Sequence, residues 1–300
     1  MLCRLIAGAG LTFVCGAGGL SIMRISALLA LAAFSAACSQ ADIAPDAGPV
    51  IAAERAFAAE AAQIGWVEAF EAHSTSDAIL LGARPENAHA SLAGIDPANR
   101  GDTSLAWAPD FAGISRGGDI GFTTGPYNGG GAAFGQYFTV WRLQADGSWK
   151  WIYDGGTNQR TPTHVNPEGE VRHLAVARRG PGSAATAVEA VRTREERFAE
   201  QAAGNAGTAF EAWLALGGRV NRDDQPSAET AEAVAQLVGA GAVRYSAPEI
   251  IEAGSAGDFV FTLGEARWEG GAGYYCRIWV LTDAGWKIGY DQIIQRELTP

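Results

Sequence analysis

The chain has 300 residues, of which 48% are hydrophobic and 18% are charged, and its formal net charge is −11. This composition excludes an intrinsically disordered chain, and the length predicts about two domains. The excess of carboxylates would repel nucleic-acid phosphates and anionic lipid headgroups, so no nucleic-acid partner is expected and membrane contact is expected only through a covalent lipid.

Residues 1–37 have the features of an export leader. Arg24 precedes the apolar stretch Ile25–Ala37, which ends in small residues before Cys38. This ending resembles a bacterial lipobox, which predicts that Cys38 is acylated and that the mature chain lies on the periplasmic side of the envelope, at the outer membrane. An ordinary signal peptide is the alternative. A transmembrane anchor would need about 20 apolar residues, which this stretch does not supply.

Two further expectations concern the N-terminal region. Met23 is the simplest candidate for the true start, which would make residues 1–22 a mis-assigned extension. Residues 38–50 are small and polar, and they predict a flexible tether between the lipid and the first domain. Beyond Cys38 the chain has one cysteine, Cys276, so no internal disulfide is expected there.

The second half of the chain repeats the first. The opening segments of the two halves match, Glu54–Ala58 in the first half with Glu195–Ala199 in the second. Three later segments match at offsets of 139, 138 and 137 residues: Gly118–Gly125 with Gly257–Gly264, Tyr137–Leu143 with Tyr275–Leu281, and Trp149–Asp154 with Trp286–Asp291. So many matches in one order indicate a duplication, which predicts domains at 51–160 and 188–300 joined by a linker at 161–187.

Each copy is predicted to open with an amphipathic helix and to continue as antiparallel strands. In the first copy, apolar residues recur at helical spacing from Phe57 to Phe70. Short second helices are predicted at 88–92 and 228–238. The strand-like runs, rich in aromatic and β-branched residues, are 105–112, 120–124, 136–144 and 148–153 in the first copy and 243–251, 259–263, 274–281 and 286–290 in the second, with a further short strand at 170–177. Helices followed by antiparallel strands predict an α+β fold.

This pattern resembles the nuclear transport factor 2-like superfamily. The resemblance covers residues 51–156 and 188–293, and it rests on the opening helix, the Gly-Asp strand and the closing hairpin with Trp-Lys and Tyr-Asp. It implies two tandem cone-shaped domains, each with helices against a curved sheet and an internal pocket, packed sheet to sheet as a pseudo-dimer. The superfamily includes isomerases, dehydratases, cyclases and many uncharacterised secreted members, so the fold does not determine the function.

Asp154 and Asp291 end the closing strands of the two copies and are the first candidate site residues. Strict alternation would place Asp154 with Lys150 and Ile152, on the face opposite Trp149, Trp151 and Tyr153. A carboxyl group buried among aromatic rings would have a raised pKa and could move a proton. A surface carboxylate or a helix cap is the alternative.

His73 and Tyr137 are the candidate partners of Asp154. His73 lies four residues before Asp77, and on a helix the two would face each other as an oriented base. The second copy has Trp213 at this position, which favours a structural histidine. Isomerases of the superfamily use a tyrosine from the opening helix; neither opening helix here has one, which puts that activity in doubt.

Aromatic residues of both copies are the candidate ligand-binding set, although core packing explains most of them. These are Trp66, Trp107, Tyr127, Trp141, Tyr245 and Trp279, with Asp291 as their polar group. No metal-ligand spacing occurs, so neither a metal nor a cofactor is expected.

Three functions remain open from the sequence. The first is a non-catalytic envelope protein that binds a small apolar or amphipathic molecule. The second is a cyclase, dehydratase or isomerase with Asp154 as general base. The third is a structural partner whose cones are filled by side chains.

Overall fold

The computed structural model describes residues 45–129, 133–176 and 182–296, which belong to one compact unit. The leader, Cys38 and most of the predicted tether lie outside these residues. None of the helices within the described ranges is long and apolar enough to cross a membrane.

The first domain packs helices against one face of a mostly antiparallel sheet. The strand order is β2-β1-β7-β6-β5-β4-β8, with β3 also paired to β5. The helices are α1 (Gly48–Ile64), α2 (Trp66–His73), α3 (Ala88–Ala93) and a 3-10 turn at Pro97–Asn99. The strands are β1 (Ser74–Leu81), β2 (Pro85–Asn87), β3 (Ala106–Trp107), β4 (Phe111–Ile114), β5 (Ile120–Gly129), β6 (Ala133–Leu143), β7 (Trp149–Gln159) and β8 (Arg172–His173).

The second domain repeats this arrangement with the order β10-β12-β13-β14-β9, and β11 also pairs with β12. Its first helix begins at Ala184, where Ser183 caps the N-terminus. The helices are α4 (Ala184–Ala202), α5 (Ala206–Trp213) and α6 (Ala231–Val238). The strands are β9 (Leu214–Arg222), β10 (Val243–Tyr245), β11 (Ile250–Ala253), β12 (Phe259–Trp268), β13 (Gly271–Thr282) and β14 (Gly285–Gln295).

The sequence did not predict the strands β1 and β9. Each follows directly on a helix and pairs in parallel with the closing strand of its domain, β7 or β14. The register of β1 shifts between Ser74 and Ile79, so its buried residues do not alternate with exposed ones as in a regular strand. The α+β class is nevertheless as expected, since the remaining strands of the main sheets pair in antiparallel fashion apart from the short β8.

A β-bulge in each closing hairpin corrects the predicted faces of the last strand. Val140 pairs with Tyr153 and Trp141 pairs with Trp151, so Ile152 is an extra residue in β7. The extra residue reverses the alternation after Trp151. Trp151 therefore packs on the helix side of the sheet, Tyr153 lies on the opposite side, and Asp154 returns to the helix side. Gly289 is the extra residue in β14.

The two sheets pack against each other through the faces that carry no helices. Phe138 and Tyr290 stack across this contact, with ring centroids 4.3 Å apart and planes inclined by 14°. At one edge the contact is reciprocal. Asp119 accepts a hydrogen bond from the backbone N–H of Ser255 (2.8 Å), and Asp258 accepts one from that of Arg116 (2.9 Å). These aspartates are the equivalent residues of the repeated Gly-Asp strand, so they hold the domains together in the way that twofold contacts do.

Candidate functional site

Glu54 lies at the base of the first domain, in the core between α1 and the sheet. It precedes Phe57 by three residues, so both side chains face the sheet. Its carboxylate accepts hydrogen bonds from the indoles of Trp107 (2.5 Å) and Trp141 (3.0 Å) and from the hydroxyl of Thr123. Burial raises the pKa of Glu54 to about 6, and these three donors limit the rise.

Asp154 stands above Glu54 on β7, where the bulge turns it toward the helices. Its carboxyl group accepts a hydrogen bond from the hydroxyl of Thr139, its neighbour on β6, at 2.6 Å. The residue is 8% exposed. Burial raises the pKa of Asp154 to about 8, and the nearby Glu54 carboxylate adds to the rise. Asp154 is therefore largely protonated at neutral pH and can donate a hydrogen bond.

Tyr137 completes the polar set of this domain. It lies on the same face of β6 as Thr139 and is 7% exposed. Its hydroxyl lies near that of Thr123 but makes no well-formed hydrogen bond to a described residue. Burial and the charge of Glu54 raise the pKa of Tyr137 well above its ordinary value, so the phenol stays neutral and keeps a proton to donate.

Asp154 and Tyr137 line a cavity of about 230 Å³ in the first domain, whereas Glu54 lies beneath it. Most of its wall is apolar, and the polar groups converge from β5, β6 and β7. The lining residues are Phe70, Leu80, Leu81, Leu105, Trp107, Tyr127, Tyr137, Asp154, Gly155, Gly156, Asn158 and Arg296. An apolar cavity with a few convergent polar groups is the usual form of a small-molecule site.

The second domain has the same framework at its base. Glu195 corresponds to Glu54, and it accepts hydrogen bonds from Thr262 (2.7 Å) and from the indole of Trp279 (2.7 Å), as Glu54 does from Thr123 and Trp141. Asp291 corresponds to Asp154. The duplication has thus kept the buried carboxyl pair in both copies.

Arg277 of the second domain occupies the position that Thr139 holds in the first domain. It is fully buried and forms ion pairs with Glu195 and with Asp291, the latter through Nε at 2.8 Å. Its guanidinium carbon lies 4.3 Å from the ring centroid of Phe198, 4.7 Å from that of Tyr275 and 4.8 Å from that of Tyr245. Arg222 pairs with the other oxygen of Asp291 at 2.8 Å. One buried cation therefore occupies the centre of this cone and compensates both carboxylates.

The second domain has a larger cavity of about 490 Å³ near the end of its sheet, but this cavity does not reach the buried carboxylates. Its lining includes Leu237 of α6, Trp268 of β12 and the exposed ends of Arg244 and Arg267. Neither Arg277 nor Asp291 lines it. The two domains thus differ at the base of the cone, where the first is open and the second is filled.

No protein-family model matches the chain, and no curated protein matches it in sequence. Solved structures match 37–39% of the chain, which is about the length of one domain. The chain is similar to a nuclear transport factor 2-like superfamily protein from Salmonella enterica (TM-score 0.32, 10% identity, 39% of this chain and 95% of that one). It is also similar to a domain of unknown function with a cystatin-like fold from Nostoc punctiforme (TM-score 0.32, 15% identity, 38% and 80%). A third is a nuclear transport factor 2-like protein with a cystatin-like fold from Novosphingobium aromaticivorans (TM-score 0.30, 14% identity, 37% and 82%).

Over about the length of one domain, the chain is thus similar in fold to nuclear transport factor 2-like proteins. The structure itself has two consecutive units of helices packed against a sheet, so the tandem α+β architecture predicted from the sequence is confirmed. At these identities the similarity concerns the fold and carries nothing about ligands or reactions, so the function is argued from the side chains.

Four of the predicted site residues come together in the first domain. Asp154, Tyr137, Trp107 and Tyr127 all line its cavity. Trp141 lies beneath them, fully buried, and donates to Glu54 without lining the cavity. The remaining residues of the aromatic set lie elsewhere: Trp66 packs on Phe70 behind the cavity, while Tyr245, Trp279 and Asp291 surround the buried Arg277 network.

The structure places His73 away from the predicted site. It neither contacts Asp154 nor forms an oriented general base with Asp77. Helix α2 ends at His73, and β1 begins at Ser74, so His73 and the exposed Asp77 do not share a helix face. The Nε2 atom of His73 instead lies 2.7 Å from a carboxylate oxygen of Glu60 on α1. The histidine joins the two helices and does not line the cavity.

Sequence reasoning missed Glu54, Glu195 and Arg277. A glutamate in an amphipathic helix normally faces solvent, and an arginine in a strand normally lies at an edge. The available signal was that Glu54 and Glu195 are identical in the two copies and lie three residues before an identical phenylalanine. No group of three or more potential metal ligands occurs within the described ranges.

Proposed function

We propose that the first domain binds one small, mainly apolar molecule whose polar group accepts a hydrogen bond from protonated Asp154. The observation that carries the proposal is the position of this carboxyl group, on the wall of an apolar cavity and with a pKa of about 8. The cavity is below the roughly 300 Å³ at which drug-sized pockets begin, so the ligand is smaller than a drug-sized molecule.

The contacts of the cavity divide it into an apolar body and a polar end. Phe70, Leu80 and Trp107 supply apolar wall, whereas Asp154 and Tyr137 present two hydroxyl-type donors. The Tyr137 hydroxyl is buried without a well-formed hydrogen bond to a described residue, which costs free energy unless a ligand or a water accepts its proton. A ligand carbonyl oxygen placed between the two donors would satisfy both.

A second candidate function is acid–base catalysis of the dehydratase, cyclase or isomerase type. It is supported by the separation of two carboxyl pKa values within one site, Glu54 at about 6 and Asp154 at about 8. In many enzymes, two carboxyl groups whose pKa values differ because of their burial act as the acid and the base. In this scheme ionised Asp154 takes a proton from the substrate while Tyr137 donates to the developing oxyanion.

Ligand screening of the whole chain by native mass spectrometry and calorimetry tests the proposal. The matched pair of variants is Thr139→Arg, which introduces the filling residue of the second domain, and Thr139→Val, which leaves the cavity open. Binding of a small lipophile to the native chain and to Thr139→Val, but not to Thr139→Arg, is the expected result. Empty pockets in both the purified protein and the screen would instead favour a structural role. Turnover that is abolished by Asp154→Asn would favour the enzyme.

We further propose that the chain is exported and anchored through a lipid on Cys38. The basis is the leader sequence, which lies outside the described residues. Metabolic labelling with a fatty acid tests this. Label that is incorporated in the native chain and absent from Cys38→Ser is expected, and equal labelling of both would contradict the anchor.

A further inference from the structure

Arg296 belongs to the second domain by sequence and to the cavity of the first domain by position. It follows directly on β14, and it lines the same cavity as Asp154 and Tyr127. Its Nε donates to the carbonyl of Gly82, just after β1, at 2.7 Å, and its Nη1 donates to the carbonyl of Gln295 at 2.7 Å. Two backbone carbonyls from different domains therefore fix the guanidinium beside the cavity.

The charge of Arg296 is not balanced by an acidic partner. None of the ion pairs among the described residues includes Arg296. The carboxylate of Asp223 instead accepts hydrogen bonds from the backbone N–H groups of Asn158 (2.7 Å) and of Gln295 (3.0 Å), the residue before Arg296. Asp223 lines the cavity of the second domain. A fixed guanidinium without a counter-ion is the usual form of a carboxylate-binding group.

We propose that the ligand of the first domain is an amphipathic carboxylate, whose apolar body fills the cavity and whose anionic group binds Arg296. This inference rests on the proposed binding function and specifies its ligand class. It also assigns a role to the second domain, which would supply the anion-binding residue to the pocket of the first. Among the described residues that line the cavity, Arg296 is the sole Lys or Arg, so it is the group that would attract an anion there.

Matched ligands test the inference. The probes are phenylacetate, 3-phenylpropanoate and octanoate, each compared with its primary amide by calorimetry on the whole chain. The variant is Arg296→Gln, and the control is Arg267→Gln, in the other cavity and 57% exposed. A hydrogen bond to a charged group is worth about 1.5–3 kcal/mol, so at least one carboxylate is expected to bind about 10- to 100-fold more tightly than its amide. Arg296→Gln should remove this preference, and Arg267→Gln should preserve it.

The outcomes separate this inference from the proposed function. Equal binding of acid and amide, or a preference for the acid that survives Arg296→Gln, overturns the anion inference. Binding of the amide that is lost in Thr139→Arg would then still support the pocket. If no acid or amide binds, both the inference and the proposed function are contradicted.

Discussion

Thr139 and Arg277 occupy the same position in the two domains, and each lies opposite the equivalent aspartate on the next strand. Thr139 pairs in register with Asp154, and Arg277 pairs with Asp291. The short threonine donates to Asp154 and leaves Glu54 without a cation, whereas the arginine pairs with both carboxylates of its domain. This difference gives the duplicated framework two uncompensated carboxyl groups in the first domain and an ion-paired network in the second.

Replacing Arg277 should destabilise the protein strongly. Arg277→Thr leaves Glu195 buried without its cation, while Arg222 still pairs with Asp291. Breaking a buried ion pair by removing one partner costs about 3–5 kcal/mol of the free energy of unfolding. Denaturant unfolding of Arg277→Thr measures this, with the exposed Arg267→Thr as control, expected to change stability by less than about 0.5 kcal/mol. Similar stability of the two variants would show that the network contributes little.

Introducing the arginine into the first domain should change the titration of Asp154. In Thr139→Arg the new guanidinium would lie between Glu54 and Asp154, as Arg277 lies between Glu195 and Asp291. A nearby cation favours the ionised carboxylate, so the pKa of Asp154 should fall from about 8 toward the acidic range. Carboxyl-carbon NMR of 13C-labelled aspartate measures the shift. The account would be wrong if Asp154 still titrated near pH 8 in this variant.

Stability should fall as the pH rises through the titration of the first-domain carboxyl groups. The pKa of Asp154 rises from 3.8 to about 8 on folding and that of Glu54 from 4.5 to about 6, so the folded state binds the proton more tightly. This stabilisation is fully present below about pH 4 and is lost as the pH passes 8, with a limiting slope of about 1.4 kcal/mol per pH unit for one proton. The pKa of Tyr137, which faces the same cavity, is raised well above its ordinary value, so this phenol stays neutral over the range.

The variant Asp154→Asn isolates this effect. Between pH 6 and 8 it should flatten the decrease in the free energy of unfolding, because the group responsible no longer ionises. Asp146→Asn, in the exposed turn between β6 and β7, is the control and should keep the native slope. Identical slopes in the native chain and Asp154→Asn would mean that Asp154 is already ionised at neutral pH.

Cys276 should be unreactive in the folded protein. It is fully buried in the contact between the sheets, and its Sγ lies 2.8 Å from the hydroxyl of Tyr153 in the other domain. Burial raises the pKa of Cys276 to about 12, so almost no thiolate is present at neutral pH. With the other three cysteines replaced by serine, a thiol reagent should label the chain only after denaturation. Rapid labelling of the native chain would show that the sheets separate readily.

The sequence predicted the fold because the duplication repeats the residues that form the elements. The match of Trp149–Asp154 with Trp286–Asp291 located both closing hairpins, and the hydrophobic spacing from Phe57 to Phe70 located the helices. The helix boundary was misjudged at His73, since a helical spacing to Asp77 could not reveal that a strand begins between them.

The site was predicted only in part because it depends on departures from regular periodicity. Asp154 was singled out from the sequence, but strict alternation placed it with Lys150, and only the bulge at Ile152 returns it to the side of the helices. Glu54 and Arg277 were missed because their burial depends on partners from distant strands. The contribution of Arg296 to the first domain depends on how the two domains pack, which local sequence does not encode.

The central claim is that the base of the first cone is open and apolar while that of the second is filled by Arg277. Diffraction from a xenon-pressurised crystal tests it without assuming a ligand, because xenon enters apolar cavities and is located by its anomalous scattering. The account predicts a xenon peak against Phe70, Leu80 and Trp107 and none against Arg277. An empty first cavity, or a peak of equal height beside Arg277, would contradict it.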